Sequence, residues 1–253
     1  MMRLDRFLSE ATPDSRSEAR KHIRSGCVSV NGQPVRSPDV RIDEKSDRIQ
    51  VDGRDIVYRK FIYLMLNKPG GYLSAVEDAR DPVVTDLVPE HLRHFRVFPV
   101  GRLDKDTEGL LLLTNDGQFD HALMSPARKV VKRYEALLDR PAAPDDVEAF
   151  RRGMTFSDFT AAPATLEIDE KDPCRVVIGI SEGKFHQVKR MCRQIGKTVL
   201  FLKRTAIGLL KLDETLGPGE IRELTDEEIR LLLPPRSASG DKDNAPAPDD
   251  VRS

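Results

Sequence analysis

Gly101-Arg102-Leu103-Asp104-Lys105-Asp106-Thr107-Glu108-Gly109-Leu110-Leu111-Leu112-Leu113-Thr114-Asn115-Asp116-Gly117 sets a charged segment directly against an apolar one. Leu110 to Leu113 is short, continuous and apolar, and Asn115-Asp116-Gly117 supplies a turn, so the pattern predicts a core strand. Asp104 then stands in a loop or at a strand edge beside that core. A carboxylate there can be held rigidly and partly desolvated, with Arg102 near enough in sequence to keep it ionised. By composition alone, Asp-Lys-Asp-Thr-Glu also suits a solvated loop whose aspartates cap turns.

Further along, Ser181-Glu182-Gly183-Lys184-Phe185-His186-Gln187-Val188-Lys189-Arg190-Met191-Cys192 leads into a stretch that has no acidic residue from Gly183 to Lys211. It carries Lys184, Lys189, Arg190, Arg193, Lys197, Lys203 and Arg204. The whole chain holds 41 Lys and Arg against 42 Asp and Glu, so it has no uniformly basic coat. Any surface for nucleic acid must come from local segregation of charge such as this one. His186 has no carboxylate or thiol beside it in sequence and reads as an RNA contact or a packing residue. His22, His91, His94 and His121 read as incidental.

At the other end, Ser15-Arg16-Ser17-Glu18 has the capping-box pattern and predicts a helix running to about Arg24. Arg16, Arg20, Lys21 and Arg24 recur at helical spacing and can lie along one side. Val28-Ser29-Val30-Asn31-Gly32 alternates and ends in a tight-turn dipeptide, as a strand entering a hairpin does. Beyond a polar stretch, Phe61 to Leu66 begins a second strand-like run, stopped by Asn67-Lys68-Pro69-Gly70-Gly71. This places a small basic module at 1–58 and a larger domain at 59–234. Strands and helices there show no regular alternation, so an α+β domain with a mixed, mainly antiparallel sheet is expected. Residues 235–253 lack the apolar side chains needed to offset ordering entropy and are expected to be disordered.

With 253 residues the chain is long enough for a substantial core. Cys27, Cys174 and Cys192 form no Cys-x-x-Cys pair, and read as buried or incidental reduced thiols. No apolar signal-peptide core follows Met1, and no run reaches membrane-spanning length, so a soluble cytoplasmic protein is expected.

The Gly-Arg-Leu-Asp segment closely resembles the catalytic signature of the RsuA/RluB-type pseudouridine synthases, which implies that Asp104 is the catalytic residue. Glu182 to Met191 resembles a further motif of the RsuA branch. In the wider family a basic residue at the position matching Lys189 pairs with the catalytic Asp. Lys132-Arg133-Tyr134 resembles the Lys-x-Tyr element and makes Tyr134 the candidate active-site tyrosine. Arg3 to Gly53 resembles the RNA-binding domain named after ribosomal protein S4, implying phosphate contacts from Arg16, Arg20, Lys21 and Arg24. Asn67-Lys68-Pro69-Gly70-Gly71 resembles the family's Asn-Lys-Pro-x-Gly motif. With the basic stretch it adds Lys68, Lys184, His186, Gln187, Arg190, Lys203 and Arg204 as candidate RNA contacts.

The resemblance implies isomerisation of uridine to pseudouridine in structured rRNA or a ribosomal assembly intermediate, by a monomer. The base must leave its stack to expose the glycosidic bond. Lys189, with Arg102, keeps Asp104 charged, and Tyr134 packs under the flipped base or sugar. The reaction is redox-neutral and the leaving uracil is also the returning partner, so no metal or cofactor is expected. The form of the motifs points to 16S rRNA, with 23S rRNA as the alternative. Two other classes stay open: a hydrolase with Asp104 and Asp106 as acid and base, and a non-enzymatic RNA-binding or ribosome-assembly protein.

Overall fold

The computed structural model describes residues 1–232. The segment 235–253, expected to be disordered, lies outside the described residues, as do the last two positions assigned to the larger domain. The N-terminal module runs β1 (Met2–Arg3), α1 (Leu4–Ala11), α2 (Arg16–Ser25), β2 (Val28–Val30), β3 (Gln33–Pro34), β4 (Arg41–Ile42), β5 (Ile49–Val51) and β6 (Arg54–Ile56). Leu4, Phe7 and Leu8 share one face of α1 and bury against Ala19, Ile23, Val28, Ile42 and Ile49. Ser15 caps α2 as its sequence predicts: its hydroxyl accepts from the Glu18 amide while the Glu18 carboxylate accepts from the Ser15 amide. Asn31 and Gly32 both take positive φ, 51° and 79°, the twist a two-residue hairpin needs between β2 and β3.

The larger domain continues with β7 (Tyr63–Lys68), β8 (Phe98–Val100), β9 (Glu108–Thr114), α3 (Gly117–Met124), β10 (Lys132–Leu138), α4 (Pro144–Arg152), β11 (Met154–Thr155) and β12 (Thr160–Ala161). It closes with β13 (Thr165–Ile168), β14 (Arg175–Ile180), α5 (Gln187–Gln194), β15 (Val199–Ile207), β16 (Leu210–Lys211), β17 (Ile221–Glu223) and α6 (Asp226–Leu232). One sheet of nine strands, ordered β13-β14-β10-β15-β9-β7-β17 with β16 on β15 and β8 on β9, carries the domain. Its pairings are antiparallel except β15 on β9, in keeping with the expected mixed, mainly antiparallel α+β class.

The continuous apolar run in β9 has a direct cause. Leu111 and Leu113 enter a core with Leu64, Leu66 and Tyr134, while Leu110 and Leu112 enter a second core with Met65, Phe119 and Leu123. Both faces of this strand are covered, so alternation is lost. Strand β10 has one wet face and alternates: Lys132, Tyr134, Ala136 and Leu138 are buried, while Arg133 and Glu135 are exposed. The parallel join of β15 to β9 forces a glycine. A Cβ on Gly109, whose φ is +97°, would lie 2.2 Å from the Arg204 carbonyl oxygen.

Candidate active site

Where β9 begins, the loop ahead of it faces the β14-to-α5 connection across the end of the sheet. Arg102, Leu103, Asp104, Tyr134, Ile180, Lys184, His186, Gln187, Lys189 and Leu202 line one small pocket there, of about 60 Å³. Tyr134 from β10, Ile180 from β14 and Leu202 from β15 make its apolar wall. Asp104 and Lys189 are 24% and 21% exposed, open enough to meet a substrate yet screened from bulk water. A larger cleft of about 830 Å³ between the module and the domain shares no lining residue with this pocket.

Lys189, on the first turn of α5, sends its Nζ to 3.1 Å from Asp104 Oδ2 and 2.5 Å from Asp106 Oδ1. The same ammonium bonds the Asp106 carboxyl and, outweighing partial burial, holds it below the usual range. Helix α5 brings no acidic residue in its first turn, so nothing local competes for Lys189. His186 stands at the start of α5 with Nε2 3.6 Å from Asp104 Oδ1. His186 has no carboxylate neighbour in sequence; the fold supplies one from 82 positions away. Arg102 lines the pocket but is exposed and forms no ion pair among the described residues. The charge beside Asp104 therefore comes from Lys189 and not from Arg102, which corrects the expectation of a local partner.

Lys68 is a second correction. It is fully buried, and its Nζ donates to the main-chain oxygens of Pro69, Asp104, Lys105 and Thr107 at 2.8–3.2 Å. It ties the Asp104 loop from below and is not presented to RNA. Ser74 bonds both the amide and the carbonyl of Leu103, and the Gly71 amide donates to the Lys105 carbonyl, so the loop is held from three sides. Burial lowers the Lys68 ammonium to about 8, with Asp106, Glu108 and Asp104 pulling the other way.

Other expected RNA contacts are also committed within the protein. Gln187 is buried; its amide donates to Glu182 and its oxygen accepts from the Lys184 amide. Arg190 forks onto Asp158 and lies over the rings of Phe156 and Phe159 at 4.8 and 4.6 Å. Arg204 is 2% exposed and donates to the Leu110 carbonyl. Lys203 is not bonded in this way among the described residues; it stands opposite Glu135 in the register, on the sheet face away from Tyr134. In the module, Arg16 and Arg20 both reach Asp5, whose carboxylate is fully buried, and Arg3 makes a third partner. Burial pushes that carboxyl up, but the three guanidiniums outweigh it and hold it far below the usual range. Lys21, Arg24 and Lys184 remain exposed.

Two kinds of residue escaped the sequence reading. Asp5, Ser74 and Glu182 act by long-range hydrogen bonds, for which no local signal exists. Phe185 was visible as an aromatic between two polar residues ahead of a helix, but its exposure was not. Among the described residues, no three His, Cys, Asp or Glu side chains converge as metal ligands would. No described helix is long and apolar enough to cross a membrane.

Residues 62–194 match the family model for RNA pseudouridylate synthase, and residues 2–53 match the S4 domain. An uncharacterized RNA pseudouridine synthase of Bacillus subtilis (strain 168) is 44% identical over 93% of this chain and 100% of its own length. Ribosomal small subunit pseudouridine synthase A of Escherichia coli (strain K12) is 39% identical over 92% of this chain and 100% of its own. A crystal structure of a pseudouridylate synthase, 37% identical, superposes with a TM-score of 0.65 over 92% of this chain and 100% of that one. Likeness along almost the whole chain, together with a cation-held aspartate in the pocket, places the protein in the RNA pseudouridylate synthase family, with an S4 domain ahead of its synthase domain.

Proposed function

We propose that this enzyme converts one uridine of small-subunit rRNA, the 16S molecule, to pseudouridine, with Asp104 as the essential carboxylate. The observation that carries the role of Asp104 is its position: beside the Lys189 ammonium, over the apolar wall of Tyr134, in a pocket open to solvent on one side. The rRNA class is supported by the name of the E. coli relative, which matches over its whole length. We take 1–58 as the RNA-binding module and 59–234 as the catalytic domain.

The target uridine leaves its stack so that its glycosidic bond reaches the pocket. Two chemistries use an ionised carboxylate there, attack at C1′ and removal of the C2′ proton. In both, the Lys189 ammonium, 3.1 Å from Asp104 Oδ2, lies where it can hold the carboxylate in place and offset its charge. Breaking C1′–N1 frees a uracil that must turn before C5 bonds to C1′; the C5 hydrogen leaves as a proton and N1 gains one. Tyr134 gives the base an apolar surface on which to turn. The wall also limits water, which would convert isomerisation into base loss.

Mass-spectrometric mapping of pseudouridine in 16S and 23S rRNA from cells with and without the protein tests this reading. One site lost from 16S rRNA is expected. A site lost only from 23S rRNA would move the substrate to the large subunit, and free uracil as the product would favour hydrolysis.

A further inference from the structure

Phe185 is 69% exposed at the edge of the Asp104 pocket, between the pocket residues Lys184 and His186. Single exposed apolar side chains are ordinary, but this ring is built into the site. It stacks on His186 with centroids 3.8 Å apart and planes at 18°, and His186 Nε2 is 3.6 Å from Asp104 Oδ1. The connection that carries both rings is braced. Glu182 accepts from the Gln187 side chain and from the Ala162 amide, while Gln187 accepts from the Lys184 amide. His186 takes φ 51° and ψ 31°, a left-handed conformation held without glycine. Such conformations cost free energy and persist where surrounding contacts enforce them, often at functional sites.

We infer that Phe185 is the wedge that fills the gap left in the RNA stack when the target uridine enters the pocket, with His186 as its fixed backing. A base drawn out of a stack leaves its neighbours without a partner, and an apolar ring inserted there restores part of the lost stacking. The pair places such a ring on the imidazole whose Nε2 lies 3.6 Å from the carboxylate that must meet the sugar. Lys184, exposed beside it, is free to meet a flanking phosphate. The inference rests on the functional reading above and adds the residue that stabilises the flipped state.

The test is single-turnover tritium release from a small-subunit rRNA transcript carrying uridine tritiated at C5, at saturating enzyme, because closing C5 onto C1′ expels that hydrogen. Phe185→Ala should lower the rate constant about tenfold or more, the scale of one lost base–aromatic stack, while RNA affinity changes less than about threefold. Phe185→Tyr should restore the rate. An abasic residue beside the mapped target weakens the stack to be broken and should shrink the Phe185→Ala deficit. An unchanged rate constant in Phe185→Ala overturns the inference, whether or not affinity falls. No release by the unaltered protein overturns the functional reading itself, and is distinguishable because it appears before any substitution is made.

Discussion

The Lys68 ammonium donates to the main-chain oxygen of Asp104 at 3.2 Å, so a buried cation in β7 sets the height of the loop that carries the candidate catalytic carboxylate. Three further carbonyls of the same turn region share that ammonium. A hydrophobic side chain of similar length would take this donor from the Pro69 and Thr107 carbonyls, while those of Asp104 and Lys105 would keep the Thr107 and Gly71 amides. Lys68→Met should therefore lower stability by at least about 2 kcal/mol in urea unfolding, since each buried group left unpaired costs about 1–3 kcal/mol. Synthase turnover should fall with it, and RNA affinity should change little.

The same residue gives a pH signature with a definite sign. Burial holds the Lys68 ammonium at about 8 in the folded protein against 10.5 for a free lysine. Between these values the unfolded chain binds more protons than the folded one, so this group's contribution to stability rises with pH across that window. The gain is at most about 1.4 kcal/mol per pH unit. Unfolding of the unaltered protein and of Lys68→Met should differ increasingly from pH 8 to 10.5. Parallel curves would mean that Lys68 keeps an ordinary proton affinity.

Asp104→Asn should lower single-turnover rate by about 10³-fold or more, with fold and RNA affinity close to unaltered, as loss of an essential nucleophile or base does. Asp106 is 76% exposed and shares Lys189, so Asp106→Asn should stay within about tenfold of the unaltered rate, on the scale of a surface charge rather than a reacting group. Near-normal turnover in Asp104→Asn would remove the residue from the reaction.

Lys189→Met should cut the rate at saturating RNA by about 10²-fold, the scale of losing one preorganised charged partner in a site, and Lys189→Arg should be milder. Lys197, in the same basic stretch, does not serve as a control, because its Nζ lies 2.6 Å from Asp146 with both side chains only 11% exposed. Lys197→Met should instead destabilise by about 3 kcal/mol through the charge left on Asp146. Exposed Arg193, changed to Met, is the proper control. Equal single-turnover rates for Lys189→Met and Arg193→Met would reduce Lys189 to a phosphate contact.

In the S4 domain, Asp5→Asn leaves three guanidiniums without their common partner and should cost about 3 kcal/mol, the low end for a buried pair because the arginines are half in water. Lys21→Ala and Arg24→Ala should leave stability unchanged and each flatten the salt dependence of RNA binding by roughly 0.7–0.9 in log–log slope. A larger effect of Arg16→Ala on that slope than of Lys21→Ala would show that Asp5 does not withdraw Arg16 from RNA.

Local patterns determined much of this protein. The cap at Ser15, the Asn31-Gly32 hairpin and the buried strand at Leu110 to Leu113 all depend on residues within a few positions of one another, so they are legible without a fold. The specific order around Asp104 and Lys189 likewise exposed the family through resemblance. Which basic residues remain available was decided by tertiary structure alone. Lys68, Arg190 and Arg204 look alike in sequence to Lys21 and Lys184, yet the first three meet carbonyls, Asp158 and the Leu110 oxygen brought from distant segments. A buried cation must find such partners to offset its lost hydration, and an exposed one need not. Only the packed chain shows which case holds, and only it brings His186 and Phe185 to the edge of the Asp104 pocket.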